Sequence, residues 1–217
     1  MSAVTTPLGM KQATIAQPRG SYERYGKPAV DEVLALVLLV LLLPALLIAL
    51  LAVRLSVGKG VIFRQQRIGR NGVAFTIYKL RTMLPDRRTG EPGVSVSERR
   101  RCHKTATDPR VTRVGRVLRA LSIDELPQLV NVLRGEMSLV GPRPELVEIA
   151  AKYEPWQHAR HVVKPGVTGL WQISERTTTP MHEATAVDLE YVERLSFVTD
   201  CAILARTVPA VLLRRGY

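Results

Sequence analysis

The chain has 217 residues and carries 31 Lys plus Arg against 19 Asp plus Glu, a formal net charge of +12 at pH 7. This charge favours a polyanionic partner such as anionic lipid, nucleic acid or a nucleoside diphosphate. The two cysteines, Cys102 and Cys201, are too few and too far apart for a disulfide framework or a thiolate zinc site. Aromatic residues make up only 5% of the chain, which is few for a protein that stacks nucleic-acid bases.

The N-terminal part of the chain combines a polar segment with a long apolar one. Residues 1–28 are mostly polar, with Pro and Gly, and we expect them to form a mobile tail. Residues 33–53 carry no charge, and Leu and Val recur on every face of a helix drawn through them. Such a helix would extend for roughly 30 Å, the thickness of a hydrocarbon core. We therefore predict a membrane helix over residues 29–57.

The path of this helix depends on Pro44, near the middle of the apolar run. A proline here lacks an amide proton and clashes with the carbonyl of Val40, so we expect a bend. Lys and Arg flank the run on both sides, and basic flanks favour the cytoplasm. A re-entrant helix bent at Pro44 would keep both flanks inside, whereas an ordinary span containing a proline would export one. The charge pattern and Pro44 leave both alternatives open.

The segments after the membrane helix predict a small β-hairpin. Two runs rich in β-branched and aromatic residues, 61–65 and 73–78, flank the pair Asn71-Gly72. An Asn-Gly pair between such runs is typical of a tight hairpin turn. Residues 85–101 have the composition of a loop, with Gly, Pro and several Ser.

The remainder of the chain predicts helices and, with the hairpin, a mainly helical α+β fold. Apolar periodicity predicts amphipathic helices over residues 111–121 and 181–195. A short helix is predicted over residues 125–134, with Gly135 just beyond its C-terminus. The apolar segment after residue 195 is either an interfacial helix or a packed terminal helix. The nearby membrane segment favours the interfacial interpretation.

An adjacent pair of carboxylates, Asp124 and Glu125, has two interpretations. The first is helix capping, because Ser122 and Glu125 match the capping-box pattern. If Ser122 is the cap, Pro127 falls at a position where the helix needs an amide proton. If Asp124 is the cap instead, its side chain can accept only from the amide of Leu126. Capping therefore explains the pair only in part. In either register Asp124 lies at the positive end of a helix, which we expect to keep it ionised at neutral pH.

The second interpretation is phosphoryl transfer. Arg119 precedes the pair, and Arg143 lies in the stiff turn Gly-Pro-Arg-Pro that follows it. Guanidinium groups facing a helix N-terminus favour a phosphate. A carboxylate there would repel phosphate unless it has a task, either attack on phosphorus or coordination of Mg²⁺. The residues alone thus indicate a phosphoryl-transfer site at a membrane surface.

Three motifs give the chain a resemblance to a known family. They are FRQQRIGRNGVAFTIYKLRTM, DPRVTRVGRVLRALSIDELPQLVNVLRGEMSLVGPRPE and KPGVTGLWQIS, in that order. With them the chain resembles the bacterial sugar transferases, the small monotopic phosphoglycosyl transferases that act on polyprenyl phosphate. The resemblance implies a catalytic domain over residues 58–217 on the cytoplasmic face of the bacterial inner membrane, and it favours the re-entrant helix. In the family a Ser often precedes the bend proline, whereas this chain has Leu43.

The resemblance also implies a mechanism. Asp124 would be the nucleophile that attacks the β-phosphate of a UDP-sugar and releases UMP, and Glu125 would bind Mg²⁺. Polyprenyl (undecaprenyl) phosphate would then attack the enzyme-bound phosphosugar in a ping-pong cycle, initiating exopolysaccharide or other glycoconjugate synthesis. Four basic residues would line the site or bind the nucleotide phosphates: Lys79, Arg81, Arg119 and Arg143.

Two noncatalytic alternatives stand beside this hypothesis. A membrane-tethered nucleic-acid binder predicts steep salt dependence and tolerance of Asp124→Asn. A scaffold that holds polyprenyl phosphate predicts lipid binding without UMP release. The acidic pair within its full motif favours the enzyme, with a UDP-sugar, polyprenyl phosphate and anionic membrane lipids as partners and no nucleic acid. The identity of the sugar and a homodimeric state are left open.

Overall fold

A computed structural model describes residues 20–84, 108, 110–174 and 185–212. Within these ranges the chain is mainly helical, as predicted, and it has two small sheets. The predicted loop of residues 85–101 and most of the predicted tail lie outside them. The helices are α1 (Lys27–Val57), α2 (Arg113–Ala120), α3 (Gln128–Leu133), α4 (Val147–Ala150), α5 (Leu170–Ser174), α6 (Thr185–Glu193) and α7 (Phe197–Leu212). The strands are β1 (Ile62–Ile68), β2 (Ala74–Leu80), β3 (Ser138–Val140), β4 (Glu145–Leu146) and β5 (Gly166–Thr168).

The apolar helix begins earlier than predicted. A π-helical segment, Tyr22–Gly26, leads directly into α1, so the last part of the predicted mobile tail is helical. The reason is a tertiary anchor on Asp200 of α7. The Lys27 ammonium lies 2.6 Å from this carboxylate, and the Tyr22 hydroxyl donates to it at 2.7 Å. Lys27, one of the basic residues that precede the apolar run, is therefore a buried ion-pair partner.

Most of the side chains of α1 remain uncovered by the protein. It is long and apolar enough to cross a membrane, and no other helix in the described part of the chain meets that test. Large apolar side chains point outwards along its length, with Val40 66%, Ile48 71% and Leu55 79% exposed. The helix runs through Pro44 without ending there. The bend and the re-entrant path stay predictions.

The covered face of α1 packs on one domain both before and after Pro44. Ala35, in the first half, belongs to a core cluster with Leu129 and Leu139. In the second half, Ala49 and Val53 belong to a cluster that contains Leu80 and Leu118. The helix therefore lies along the domain instead of leaving it at one end.

The predicted hairpin is confirmed. β1 and β2 pair antiparallel, and the turn carries the expected left-handed residues, Asn71 with φ 55° and Gly72 with φ 77°. The structure adds β4, which pairs antiparallel with the other edge of β1. β3 and β5 form a separate parallel pair. These extra strands have only two or three residues, too few for a periodic signal.

The helix predicted over residues 111–121 is confirmed in a shorter form as α2. Thr112 caps it, because its hydroxyl accepts from the amide of Gly115 at 2.9 Å. Gly115 faces the end of the hairpin, where a Cβ atom would overlap the carbonyl oxygen of Thr82. The glycine thus lets α2 approach the sheet closely.

The helix predicted over residues 125–134 is wrong at its start. Residues Ile123–Glu125 form a single 3₁₀ turn, and α3 begins only after Pro127. Ser122 adopts φ 54° and makes no capping hydrogen bond, so the capping box does not form. The C-terminus is as predicted, because Gly135 with φ 73° closes the helix.

The C-terminal helices pack on the core. α6 lies inside the range predicted for it, whose residues 181–184 fall outside the described part. α7 buries Ile203 in the core and leaves Val198 and Val208 75% and 60% exposed. It is thus a packed helix with an outward apolar face, and its contact with a membrane stays a prediction.

Candidate active site

The two acids lie in the 3₁₀ turn between α2 and α3. Ile123, directly before them, packs in the cluster formed by the second half of α1, the end of β2 and α2. Asp124 is 9% exposed, and the side chain of Glu125 is 13% exposed. Both carboxylates are therefore largely buried, beside the apolar helix.

Glu125 is held by two cations from separate parts of the fold. The Lys79 ammonium, from β2, lies 2.7 Å from Oε1, and the Arg143 guanidinium, from the Gly-Pro-Arg-Pro turn, lies 2.9 Å from the same oxygen. Burial raises the pKa of Glu125, but Arg143 and Lys79 outweigh it and hold the pKa well below its usual range. Glu125 is thus a fixed anion, and its charge in turn raises the pKa of Arg143.

Asp124 has the opposite shift. Burial, followed by the neighbouring charge of Glu125, raises its pKa to about 6, against the opposing effect of Lys79, Arg119 and Arg143. The expectation that a helix N-terminus favours the ionised form of Asp124 was wrong, because α3 starts only at Gln128, four residues after Asp124. With a pKa near 6, Asp124 is still mostly ionised at pH 7.

The structure brings three of the four predicted basic residues to this pair. Lys79 and Arg143 bond to Glu125 directly, and Arg119 adds positive charge near Asp124 while its Nε donates to the Thr82 hydroxyl at 2.8 Å. Arg81 points elsewhere. Its Nε donates to the carbonyl of Gly60 at 2.7 Å, in the connection after α1.

The Gly-Pro-Arg-Pro turn that carries Arg143 is bound on three sides. The carbonyl of Pro142 accepts from the amide of Gly166, and the carbonyl of Arg143 accepts from the guanidinium of Arg160. The carbonyl of Pro144 accepts from the guanidinium of Arg67. Sequence patterns missed these donors, since nothing local to Arg160 or Arg67 reveals that its side chain is turned towards a distant carbonyl.

The acidic pair has the chemistry of a magnesium site. Mg²⁺ is usually held by one or two carboxylates, with water and substrate phosphates completing its shell. Asp124 and Glu125 supply adjacent carboxylates, and Lys79 and Arg143 both donate to the same oxygen of Glu125, Oε1. Groups of three or more His, Cys, Asp or Glu suited to a metal do not occur in the described ranges. The pair fits Mg²⁺ only together with substrate phosphates.

A buried carboxylate pair among cations, beside a helix of membrane-spanning length, indicates a membrane-associated transferase that handles phosphate groups. Comparison with known families agrees. The model of the family described as "Bacterial sugar transferase" matches residues 22–214 of this chain. The chain belongs to the bacterial sugar transferase family, which confirms the resemblance seen in its motifs.

Several curated relatives match along most of the chain. The exopolysaccharide production protein ExoY of Sinorhizobium fredii is 40% identical over 221 residues, which cover 99% of this chain and 96% of the relative. The UDP-glucose:undecaprenyl-phosphate glucose-1-phosphate transferase of Caulobacter vibrioides is 44% identical over 194 residues, covering 86% and 69%. The Escherichia coli protein of the same name is 39% identical over 199 residues, covering 88% of this chain and 41% of the relative.

Proposed function

We propose that the protein transfers a sugar 1-phosphate from a UDP-sugar to polyprenyl phosphate and releases UMP. The observation that carries this proposal is the pairing of a buried Asp124 with a Glu125 that two cations already hold. Because Lys79 and Arg143 both bind Glu125, Asp124 is the carboxylate that remains available for attack. The substrate class is supported by the relatives named as UDP-glucose:undecaprenyl-phosphate glucose-1-phosphate transferases.

In the first step a carboxylate oxygen of Asp124 attacks the β-phosphorus of the UDP-sugar. The bond from this phosphorus to the oxygen that bridges the two phosphates breaks, and that oxygen keeps the electron pair and leaves as part of UMP. The sugar phosphate remains on Asp124 as an acyl phosphate. Lys79 and Arg143 lie beside the acids and stabilise the charge that develops on the phosphate oxygens.

In the second step a phosphate oxygen of polyprenyl phosphate attacks the same phosphorus. The acyl phosphate bond breaks, its electron pair returns to Asp124, and polyprenyl diphosphate sugar is released. The cycle is ping-pong, and its product initiates exopolysaccharide or other glycoconjugate synthesis. Mg²⁺, held by Glu125 with the substrate phosphates, would supply further neutralisation of the diphosphate.

The chemistry is tested by incubating purified protein with Mg²⁺ and a panel of UDP-sugars and measuring UMP. Without polyprenyl phosphate, the wild-type protein should release about one UMP per active site and then stop, and adding the acceptor should restore turnover. Asp124→Asn should release none, while the matched control Glu148→Gln, an exposed acid on α4, should behave as wild type. Absence of UMP with every sugar, or equal release by Asp124→Asn, would contradict the proposal.

We also propose that α1 is re-entrant, bent at Pro44, with the catalytic domain on the cytoplasmic face of the inner membrane. Both halves of α1 pack on the same domain, and Lys27 at its start pairs with Asp200 of that domain. A straight span would carry Lys27 to the far side of the membrane. In this arrangement the outward apolar face of α7 and the exposed arginines of α2 contact anionic lipid.

The topology is tested with single cysteines at the exposed positions before and after α1, Ser21→Cys and Lys59→Cys. Both are introduced after Cys102 and Cys201 have been replaced by Ser. In inverted membrane vesicles, an impermeant maleimide should label both positions. Labelling of Lys59→Cys alone would indicate an ordinary span.

A further inference from the structure

We propose that Arg160 is a positioning residue for the transfer reaction, which holds the backbone carbonyl of Arg143 so that the Arg143 guanidinium meets Glu125. This inference rests on the proposed function of the same site. Arg160 lies in the 3₁₀ helix Pro155–Val162. Its link to the acidic pair runs through Arg143, whose carbonyl it bonds and whose guanidinium donates to Glu125.

The first observation is how the turn is fixed. Its two prolines have no amide protons, so its carbonyls are the main groups by which other segments can hold it. Three successive carbonyls, of residues 142, 143 and 144, accept hydrogen bonds at 2.9, 2.8 and 3.2 Å from three separate segments. Arg160 holds the middle carbonyl, which belongs to the residue whose side chain binds Glu125.

The second observation is that Arg160 is itself buried and anchored. It is 1% exposed. One terminal nitrogen lies 2.5 Å from the carboxylate of Asp188 on α6, and the other donates to the Tyr153 hydroxyl at 2.6 Å. That hydroxyl donates in turn to Glu145, which directly follows the turn. The guanidinium therefore ties the turn to α6 and to the segment that leaves the turn.

The chemistry of the guanidinium explains why this position uses arginine. A buried cation is costly unless it is paired and hydrogen-bonded, and here the charge is matched by Asp188 and, at 3.9 Å, by Glu145. The planar fork carries donors in fixed directions, so its two terminal nitrogens donate to a hydroxyl and to a carbonyl while its charge pairs with Asp188. Lysine would keep the charge but could not reproduce that set of directions.

The functional consequence follows from the shared oxygen on Glu125. Lys79 and Arg143 converge on Oε1, so a shift of the turn would remove one of its two cations and change the field around Asp124. Misplacing a catalytic group by about 1 Å can cost on the order of 100-fold in rate. We expect Arg160→Lys to lower kcat/KM for UMP release by about 10- to 100-fold.

The test is a double-mutant cycle in the full-length protein, with UMP release as the measured rate. Arg160→Lys is compared in the wild-type and the Arg143→Gln backgrounds. Arg194→Lys is the matched control, because it makes the same substitution at an arginine whose side chain is 72% exposed and pairs with Glu190. If Arg160 acts through Arg143, the loss caused by Arg160→Lys falls to less than about 2-fold in Arg143→Gln, while Arg194→Lys leaves the rate unchanged in both backgrounds. Equal losses for Arg160→Lys in both backgrounds would overturn the proposal.

A second measurement separates this inference from the proposed function. Hydrogen–deuterium exchange of the peptide covering residues 141–147 should be faster in Arg160→Lys than in the wild type, and unchanged in the exposed control Arg194→Lys. If the wild-type protein releases no UMP, the proposed function falls, and the exchange rates still decide whether Arg160 holds the turn. Unchanged exchange in Arg160→Lys would refute that role. If Arg160→Lys does not fold, Asp188→Asn replaces it, because it weakens the anchor without touching the turn.

Discussion

Asp124→Asn should abolish the reaction and at the same time stabilise the protein at neutral pH. Burial and the charge of Glu125 raise the pKa of Asp124 from 3.8 to about 6. Each unit of such a shift corresponds to about 1.4 kcal/mol, so the ionised side chain costs the folded state about 3 kcal/mol at pH 7. An amide of the same shape does not bear that cost.

The pH dependence of this effect has a defined sign. Because the folded pKa lies above the unfolded one, the cost is absent below about pH 4, grows as the pH rises to 6 and is complete above it. In detergent micelles at pH 7, Asp124→Asn should therefore melt roughly 6 to 12 °C above the wild type. The difference should shrink steadily as the pH is lowered towards 4.

Glu125→Gln provides a control of opposite sign one residue away. Lys79 and Arg143 hold the pKa of Glu125 low, so its charge stabilises the folded state and its loss should lower the melting temperature at pH 7. The reasoning would be refuted if Asp124→Asn melted below the wild type at pH 7, or if its gain in melting temperature did not change with pH. Either result would mean that ionised Asp124 does not destabilise the folded state.

Three further predictions concern the site and its support. The rate of UMP release should fall about tenfold between pH 7 and pH 5, because protonation of Asp124, with its pKa near 6, removes the nucleophile. Gly115→Ala should push α2 off the hairpin and destabilise the protein by about 1–3 kcal/mol in urea unfolding, whereas the exposed Arg116→Ala should cost less than about 0.5. Asp200→Asn should cost about 3–5 kcal/mol by breaking its buried pair, whereas Arg194→Ala, at a side chain that is 72% exposed, should change the melting temperature little.

Local sequence signals predicted the elements of this fold well where the signal was strong. The uncharged run of α1, the Asn-Gly turn of the hairpin and Gly135 at the end of α3 act within a few residues, so composition and backbone preference suffice to find them. The start of α3 was misjudged because Pro127 excludes one helical register without showing which conformation replaces it.

The candidate site was predictable in part. The motif around Asp124 and Glu125 pointed to the acids, and Lys79 and Arg143 do contact Glu125. Arg81 had the same motif support but bonds to Gly60 instead. Residues two apart in a strand share a face, which would place Arg81 beside Lys79, but β2 ends at Leu80 and the alternation does not extend to Arg81.

By itself, then, the amino-acid sequence determined the family, the apolar helix and the acidic pair, because each is written in residues that are close together along the chain. Only the tertiary structure decided the charge state of that pair. It brought Lys79 and Arg143 from distant segments, turned the nearby Arg119 towards the site and buried Asp124. A carboxyl pKa depends on desolvation and on charges a few ångströms away in space. Those distances are set by how the helices and the sheet pack.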